Sequence, residues 1–201
     1  MAILKILTFP DPRLREVSQP VKKFTPELKK LAQDMLETMY AAPGIGLAAP
    51  QVGELIRMLV IDTRPRDEKG NRHSEEMTEL EKAVKQPLVL VNPEIINSKG
   101  KTTYDEGCLS VPTYFETVER SEYVEVKAQD LDGNEFIIKT DGLLGICIQH
   151  EIDHLEGTLF IDHLSFIKNN KIKNQIKKYG YPEPLKEKDL EVKEKQGRQK
   201  L

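Results

Sequence analysis

The sequence has little of several residue types that define whole classes of protein. It has no tryptophan and only two cysteines, Cys108 and Cys147, which excludes a disulfide framework and leaves each thiol for a metal, a reaction or a packed core. No apolar run approaches the ~20 residues that a membrane-spanning helix needs. The apolar start at Met1 is too short for a signal peptide and has no basic segment ahead of it, so we expect a cytoplasmic protein.

Neither the charge nor the composition is extreme. The formal net charge of −3 argues against general binding of nucleic acid, and a hydrophobic fraction of 38% is ordinary for a globular chain. A length of 201 residues suits one domain with a core of its own. We therefore expect one domain over residues 1–180, followed by a charged, flexible tail over 181–201 that is poor in apolar residues.

Hydrophobic periodicity predicts a mixture of helices and strands. Thr25 and Pro26 form a typical helix start, and apolar residues follow them at helical spacing. The predicted helices cover 26–41, 141–155 and 163–179, with a short helix within 75–84 of the polar segment 63–86. The predicted strands cover 56–61, 87–96, 114–118, 122–129 and 135–139. We expect an α+β fold in which mostly antiparallel strands pack around the central helix 141–155.

Two histidines four residues apart, His150 and His154, share one face of this central helix. The helix is apolar on most sides, and burying two imidazoles and Glu151 in it is costly unless they are paired or bind a metal ion. The His-Glu-x-x-His pattern indicates one metal held by both histidines, with Glu151 as the proton carrier. Asp153 is expected to face away from the metal. The pattern predicts a metal-dependent hydrolase but does not say which one.

The third metal ligand distinguishes the classes of such hydrolases. One protease class has a third histidine where this chain has Phe160, and another has a glutamate near Asn174. No carboxylate follows His163 on the last predicted helix, and His163 itself suits a cap or a surface position. Cys108, which follows a glycine, is the remaining donor, and a thiolate with two imidazoles leaves a fourth position for water. Cys147 lies among apolar residues and is expected to be a core thiol.

A glycine-rich segment, Gly44–Gln51, fits the spacing of a dinucleotide-binding loop. That loop requires a preceding strand and a following helix, whereas here a helix precedes and Pro50 follows, so we reject it. A tight turn needed only for steric reasons stays open.

Three segments in this order resemble the peptide deformylase family, in its bacterial type with a C-terminal helix: Gly44–Gln51, Glu106–Ser110 and His150–His154. The resemblance extends loosely over residues 3–180. It implies a metal-dependent hydrolase that removes the N-formyl group from the formylmethionine of newly synthesised polypeptides and releases formate. An unrelated metallopeptidase or amidase with the same histidine pair, and a member that binds peptides without catalysis, are the alternatives.

The resemblance also implies a role for each matching residue. The metal ligands are Cys108, His150 and His154; the ion is Fe²⁺ natively, and Zn²⁺, Ni²⁺ or Co²⁺ can substitute. Glu151 is the acid and base, and Gln51 with the backbone N–H of Leu109 holds the oxyanion. The expected substrate-binding residues are Ile45, Gly46, Glu106, Leu143, Ile146 and Cys147.

Two segments depart from the family pattern. Residues 63–86 are longer than in compact members, and residues 113–116 lack a basic residue that some members carry, although Arg120 lies nearby and can form an ion pair.

The last helix is basic, and the resemblance implies that it docks on the ribosome, whereas a merely solvated basic face stays the alternative. Its lysines are Lys168, Lys171, Lys173, Lys177 and Lys178.

Overall fold

The computed structural model describes residues 2–67 and 70–181. In these ranges the helices are α1 (Pro26–Ala41), α2 (Glu79–Ala83), α3 (Gly142–Leu155) and α4 (Phe166–Tyr179). The strands are β1 (Gly46–Ala48), β2 (Met58–Ile61), β3 (Leu88–Lys99), β4 (Thr102–Cys108), β5 (Val111–Arg120), β6 (Tyr123–Gln129) and β7 (Glu135–Thr140). Short 3₁₀ helices cover Pro12–Arg15, Ala49–Val52 and Phe160–His163.

The strands form two antiparallel sheets. Five strands lie in the order β1-β2-β3-β6-β7, and β4 pairs with β5 in a separate hairpin. Helix α3 packs against β1, β2 and β6, and Leu144, Ile148 and Leu155 on it are fully buried. Because α3 is covered on nearly all sides, it is apolar around most of its circumference. The predicted α+β fold with a central helix is confirmed.

Helix α1 shows why the sequence forms these elements where it does. The Thr25 hydroxyl accepts the N–H of Leu28, and Pro26 occupies the first helical position. Ala32, Met35 and Met39 then recur on one face and are buried against the sheet. The helix has the predicted bounds, 26–41.

Other boundaries differ from the prediction. Strand β4 was not predicted, because Thr102–Cys108 is polar and largely exposed and has no hydrophobic alternation. The three-residue strand β1 was not predicted either. The last helix begins at Phe166 rather than 163, since Phe160–His163 forms a 3₁₀ helix. The predicted tail lies outside the described residues except for Tyr181. Among the described helices, none has the length and apolar character needed to cross a membrane.

Candidate active site

Helix α3 and the end of β4 bring the three predicted metal ligands together. One donor atom from each of Cys108, His150 and His154 lies within 4.8 Å of the others. The Cys108 Sγ is 3.2 Å from the His154 Nε2. Both histidines are buried, whereas Cys108 is partly accessible. A sulfur and two imidazoles that are 42 and 46 residues away along the chain thus converge on one point.

A hydrogen bond to Glu106 fixes the orientation of the His150 ring. Its Nδ1 lies 2.8 Å from a Glu106 carboxylate oxygen, which accepts the Nδ1 proton and leaves Nε2 as the nitrogen available to a metal ion. The Phe160 ring stacks on the imidazole with a centroid distance of 6.2 Å. Phe160, which cannot bind a metal itself, therefore packs against the imidazole of the metal ligand His150.

Arg120 links the groups behind the histidines. Its guanidinium donates to Glu106 at 2.6 and 2.9 Å and to Asp153 at 2.6 Å. Asp153 also lies 2.7 Å from His163 Nε2, and neither residue belongs to the cluster of ligand atoms found among the described residues. Burial alone would raise the pKa of Glu106, but Arg120 and His150 outweigh it and lower that pKa to about 2. Glu106 is therefore an anion that both orients and polarises His150.

Charge around Cys108 favours the form of this thiol that binds a metal. Burial raises the pKa of Cys108, but the His154 and His150 imidazoles outweigh it and bring the pKa down to about 5. A thiolate is thus the stable form at neutral pH. For Glu151 burial is the dominant effect, and it raises the pKa of this carboxyl to about 7 against the opposing pull of the two imidazoles.

Two buried polar atoms in the site have no hydrogen-bond partner among the described residues: the Glu151 Oε2 and the His154 Nδ1. Buried polar atoms of this kind are normally satisfied, and an unsatisfied carboxylate oxygen next to a cluster of ligands indicates a place for water or substrate. One thiolate and two imidazoles suit a divalent first-row metal ion. The donor set and the free carboxylate oxygen together fit a hydrolytic metal centre.

The Gln51 side chain is held with its NH₂ group toward the ligands. Its carbonyl oxygen accepts the Ala48 N–H at 2.7 Å, and its Nε2 lies 3.6 Å from Cys108 Sγ and 3.1 Å from Ser110 Oγ. Leu109 and Ser110 form the turn between the paired residues Cys108 and Val111, so the Leu109 N–H stands outside the ladder. Ser110 lies in the matching segment Glu106–Ser110 but was given no role, since its position two residues after the cysteine does not indicate this contact.

Gly46 is required for steric reasons. A Cβ atom at this position would lie 2.4 Å from the Glu151 Oε1 and 2.8 Å from the Cys147 Sγ. The glycine therefore lets β1 pass directly against the buried carboxylate. The segment Gly44–Gln51 continues as a strand and a 3₁₀ helix, which differs from the strand–loop–helix of a dinucleotide site.

A cavity of about 450 Å³ opens beside the ligands. The expected substrate-binding residues all line it: Ile45, Gly46, Glu106, Leu143, Ile146 and Cys147. Tyr104 and Phe115 also line the cavity and are exposed, and neither was predicted as a site residue. Burial, reinforced by the charges of Glu151 and Glu106, raises the pKa of Cys147, so this thiol stays neutral and acts as an apolar wall.

Known proteins resemble this chain in sequence and in fold. The family model described as polypeptide deformylase matches residues 3–170. The peptide deformylase of Alkalilimnicola ehrlichii is 47% identical over 178 residues, which cover 89% of this chain and 91% of that protein. The crystal structure of peptide deformylase from Ehrlichia chaffeensis in complex with actinonin is 41% identical, with a TM-score of 0.78, and the match covers 90% of this chain and 100% of that chain. For a peptide deformylase structure from Legionella pneumophila the identity is 44% and the TM-score 0.74, covering 89% of this chain and 95% of that chain. The chain belongs to the polypeptide deformylase family.

Proposed function

We propose that the chain carries out the reaction of its family with the residues gathered beside the cavity. Polypeptide deformylases are metal-dependent hydrolases, and this chain removes the N-formyl group from the formylmethionine of newly synthesised polypeptides, releasing formate. One observation carries the assignment of residues: a sulfur and two imidazole nitrogens converge within 4.8 Å next to a buried carboxylate.

Cys108, His150 and His154 hold the metal in this proposal. Fe²⁺ is the native ion, and Zn²⁺, Ni²⁺ or Co²⁺ can replace it, because imidazole and thiolate ligands suit all four. When bound, such an ion supplies Lewis-acid chemistry, which acidifies water and polarises a carbonyl oxygen. Glu106 supports the site by holding the Nδ1 proton of His150, and Arg120 holds Glu106 in turn.

Glu151 moves the proton. One of its oxygens has no partner among the described residues, and the residue lines the cavity beside the ligands. Burial raises its pKa to about 7, a value that suits both accepting and returning a proton at neutral pH. It removes a proton from the attacking water and then delivers it to the nitrogen of the departing amine. Gly46 leaves the room that this carboxylate needs.

Gln51 and Leu109 stabilise the negative charge that develops on the formyl oxygen. The Ala48 N–H fixes the amide of Gln51 so that its N–H donors face the site, and the Leu109 N–H lies free of the strand ladder in the adjacent turn. Two donors fixed before the reaction need no reorganisation when the charge appears.

The remaining cavity residues bind the methionine side chain. Leu143, Ile146 and the neutral Cys147 form apolar walls, with Ile45 beside them. Gly46 offers its backbone to the peptide, and Glu106 closes the cavity next to His150. An unbranched thioether can fill such a space, which gives selectivity for the first residue.

A direct test is anaerobic purification, quantification of the bound metal and an assay with a formyl-Met peptide. We expect one divalent ion per chain, with release of formate from the formylated peptide and no hydrolysis of the same peptide without the formyl group. The Cys108→Ala variant should lose both metal and activity. Cleavage of the unformylated peptide would instead favour a metallopeptidase.

At the larger scale, we propose that residues 1–180 act as one catalytic domain in the cytoplasm, where formylated chains emerge from the ribosome. Helix α4 is the proposed ribosome contact. Lys168 and Lys173 are already paired with acidic side chains, whereas the other three have no ion pair within the described residues: Lys171, Lys177 and Lys178. These three are therefore the lysines most available for phosphate groups.

Co-sedimentation with ribosomes tests this contact. We expect binding at low salt that weakens as salt rises, and loss of binding when Lys171, Lys177 and Lys178 are all changed to glutamate. A variant with Lys5→Glu, Lys22→Glu and Lys23→Glu, on the exposed segment before α1, changes the total charge by the same amount and is the control. Absence of binding at low salt would dismiss the contact.

A further inference from the structure

The polar segment 63–86 contributes a buried carboxylate to the helix that carries the active site. Glu81 on α2 is only 4% exposed. One carboxylate oxygen accepts the N–H of Thr78 at 2.8 Å, and the other accepts the N–H of Leu144 on α3 at 2.9 Å. No cationic side chain among the described residues forms an ion pair with it. Its partners are backbone amides, as for a residue that caps a helix.

Helix α3 needs this acceptor, because its own N-cap residue does not provide one. Asp141 precedes the helix without making a side-chain cap, and its carboxylate accepts the Thr78 hydroxyl instead. The first amides of a helix have no partner within the helix, and an anion near them is favourable. Glu81 thus caps α3 from a segment that lies about sixty residues earlier in the chain.

The contact is shaped from both sides. Gly142, the first residue of α3, has a φ of +58°, and a Cβ atom there would lie 2.6 Å from the Glu81 carboxyl carbon. Any other residue would push the carboxylate away from the Leu144 amide. The glycine at the start of α3 is therefore matched to the carboxylate of α2.

The first turn of α3 bears directly on the cavity, because Leu143 and Ile146 on it form cavity walls. We propose that Glu81 is a positioning residue for the methionine pocket: it fixes the first turn of α3 and thereby the positions of Leu143 and Ile146. The inference rests on the proposed role of these two residues as pocket walls. His150 lies six residues beyond Leu144, about 9 Å along the helix, so the effect should fall on side-chain binding and not on proton transfer.

The test compares formyl-Met and formyl-Ala peptides that are otherwise identical. In Glu81→Ala we expect KM for the formyl-Met peptide to rise about 3- to 10-fold, the size of one lost helix cap, with kcat nearly unchanged. KM for the formyl-Ala peptide should change little, because alanine does not reach the pocket walls. Glu81→Gln keeps one acceptor oxygen, so its KM for the formyl-Met peptide should return most of the way to the wild-type value.

Hydrogen exchange gives a readout that does not depend on activity. Amides of residues 142–146 should exchange faster in Glu81→Ala, and those of the turn from His150 to His154 should not. Thr25→Ala, which removes the cap of α1, is the matched control and should alter neither KM nor exchange in α3. If Glu81→Ala does not fold, Glu81→Asp should show the same pattern at smaller size.

Leu143→Ala separates failure of this inference from failure of the pocket assignment. If Leu143→Ala leaves the preference for methionine intact, the pocket is wrongly assigned and the inference fails with it. If Leu143→Ala weakens the preference while Glu81→Ala keeps a normal KM for the formyl-Met peptide, only the role of Glu81 is overturned. Equal changes in KM for both peptides would likewise overturn it.

Discussion

Glu151 combines two properties that rarely occur together in one carboxyl group. It is buried beside Gly46 and Cys147, and one of its oxygens has no partner among the described residues. Burial without a fixed hydrogen bond destabilises the anion, which is why the pKa rises to about 7. A carboxyl group in this state exchanges protons readily at neutral pH, whereas an ion-paired carboxylate such as Glu106 does not.

Removal of this carboxylate should separate metal binding from turnover. Glu151→Ala is expected to retain the metal, because its side chain is not among the three ligands, and to lose nearly all activity. Metal analysis and the formyl-Met assay on the same sample measure both. Glu156→Ala removes an exposed carboxylate just after α3 that pairs with Arg57, and it should remain active. Substantial turnover in Glu151→Ala would exclude Glu151 as the proton carrier.

Gln51 offers a second test at the level of one side chain. Gln51→Ala should lower kcat by roughly 10²- to 10³-fold, as expected for one lost oxyanion donor. Ser110→Ala is the control, because it removes the hydroxyl that accepts from the Gln51 Nε2 and leaves the Gln51 NH₂ group in place. Steady-state kinetics distinguish the two possibilities: a change confined to KM would mean that Gln51 binds substrate and does not stabilise the transition state.

At the scale of elements, Asp162 joins three segments that pack beside the site. It lies in the 3₁₀ helix Phe160–His163, forms ion pairs with Arg15 and with Lys173 of α4, and accepts the Leu159 N–H. Burial opposes ionisation, but these partners outweigh it and hold the pKa of Asp162 well below its usual range. The carboxylate therefore stabilises the fold in its charged form.

Asp162→Asn should destabilise the protein by roughly 1–3 kcal/mol at pH 7, where the charged hydrogen bonds are complete. Because the folded pKa lies below the unfolded value of about 3.9, the stabilisation is fully present above that value and is lost as pH falls below it. Urea unfolding of both proteins at pH 7, 4 and 3 measures this, and the difference should narrow at the lowest pH. A difference that stays constant would show that packing, not charge, explains the cost.

The elements that sequence alone could predict are those with local signals. The N-cap and periodicity of α1, the apolar circumference of α3 and the hairpin β6–β7 each depend on residues close together in the chain, and these predictions are confirmed. Strand β4 is polar, and its structure depends on pairing with β5, so no local pattern indicates it. Its cysteine could be selected from the sequence only because the histidines required a third ligand.

The same distinction holds for the whole molecule. The ligands and Glu151 lie in two short segments, so their residue types and spacing are sufficient to indicate a site. The contacts that support the site join residues far apart in the chain. Arg120 pairs with Glu106 and Asp153, which are 14 and 33 residues away, and Glu81 contacts Leu144, which is 63 residues away. These pairs depend on how the chain folds back on itself, and charged residues of this kind are too common in the sequence to be matched by inspection.

The proposed metal ties the β4–β5 hairpin to α3, so it should stabilise the whole fold as well as the site. A ligand that binds only the folded state adds RT ln(1 + [L]/Kd), which is about 4 kcal/mol at a thousandfold excess over Kd. Treatment with a chelator should therefore lower the Tm by several degrees, and restoring Fe²⁺ under anaerobic conditions, or Zn²⁺, should reverse the change.

In Cys108→Ala the chelator should have no effect, since the ion is not held, whereas Cys147→Ala keeps the three ligands and should respond like the wild type. Calorimetry measures the Tm, with metal content checked on the same sample. A wild-type Tm that does not respond to the chelator would contradict the proposal that a metal links the β4–β5 hairpin to α3.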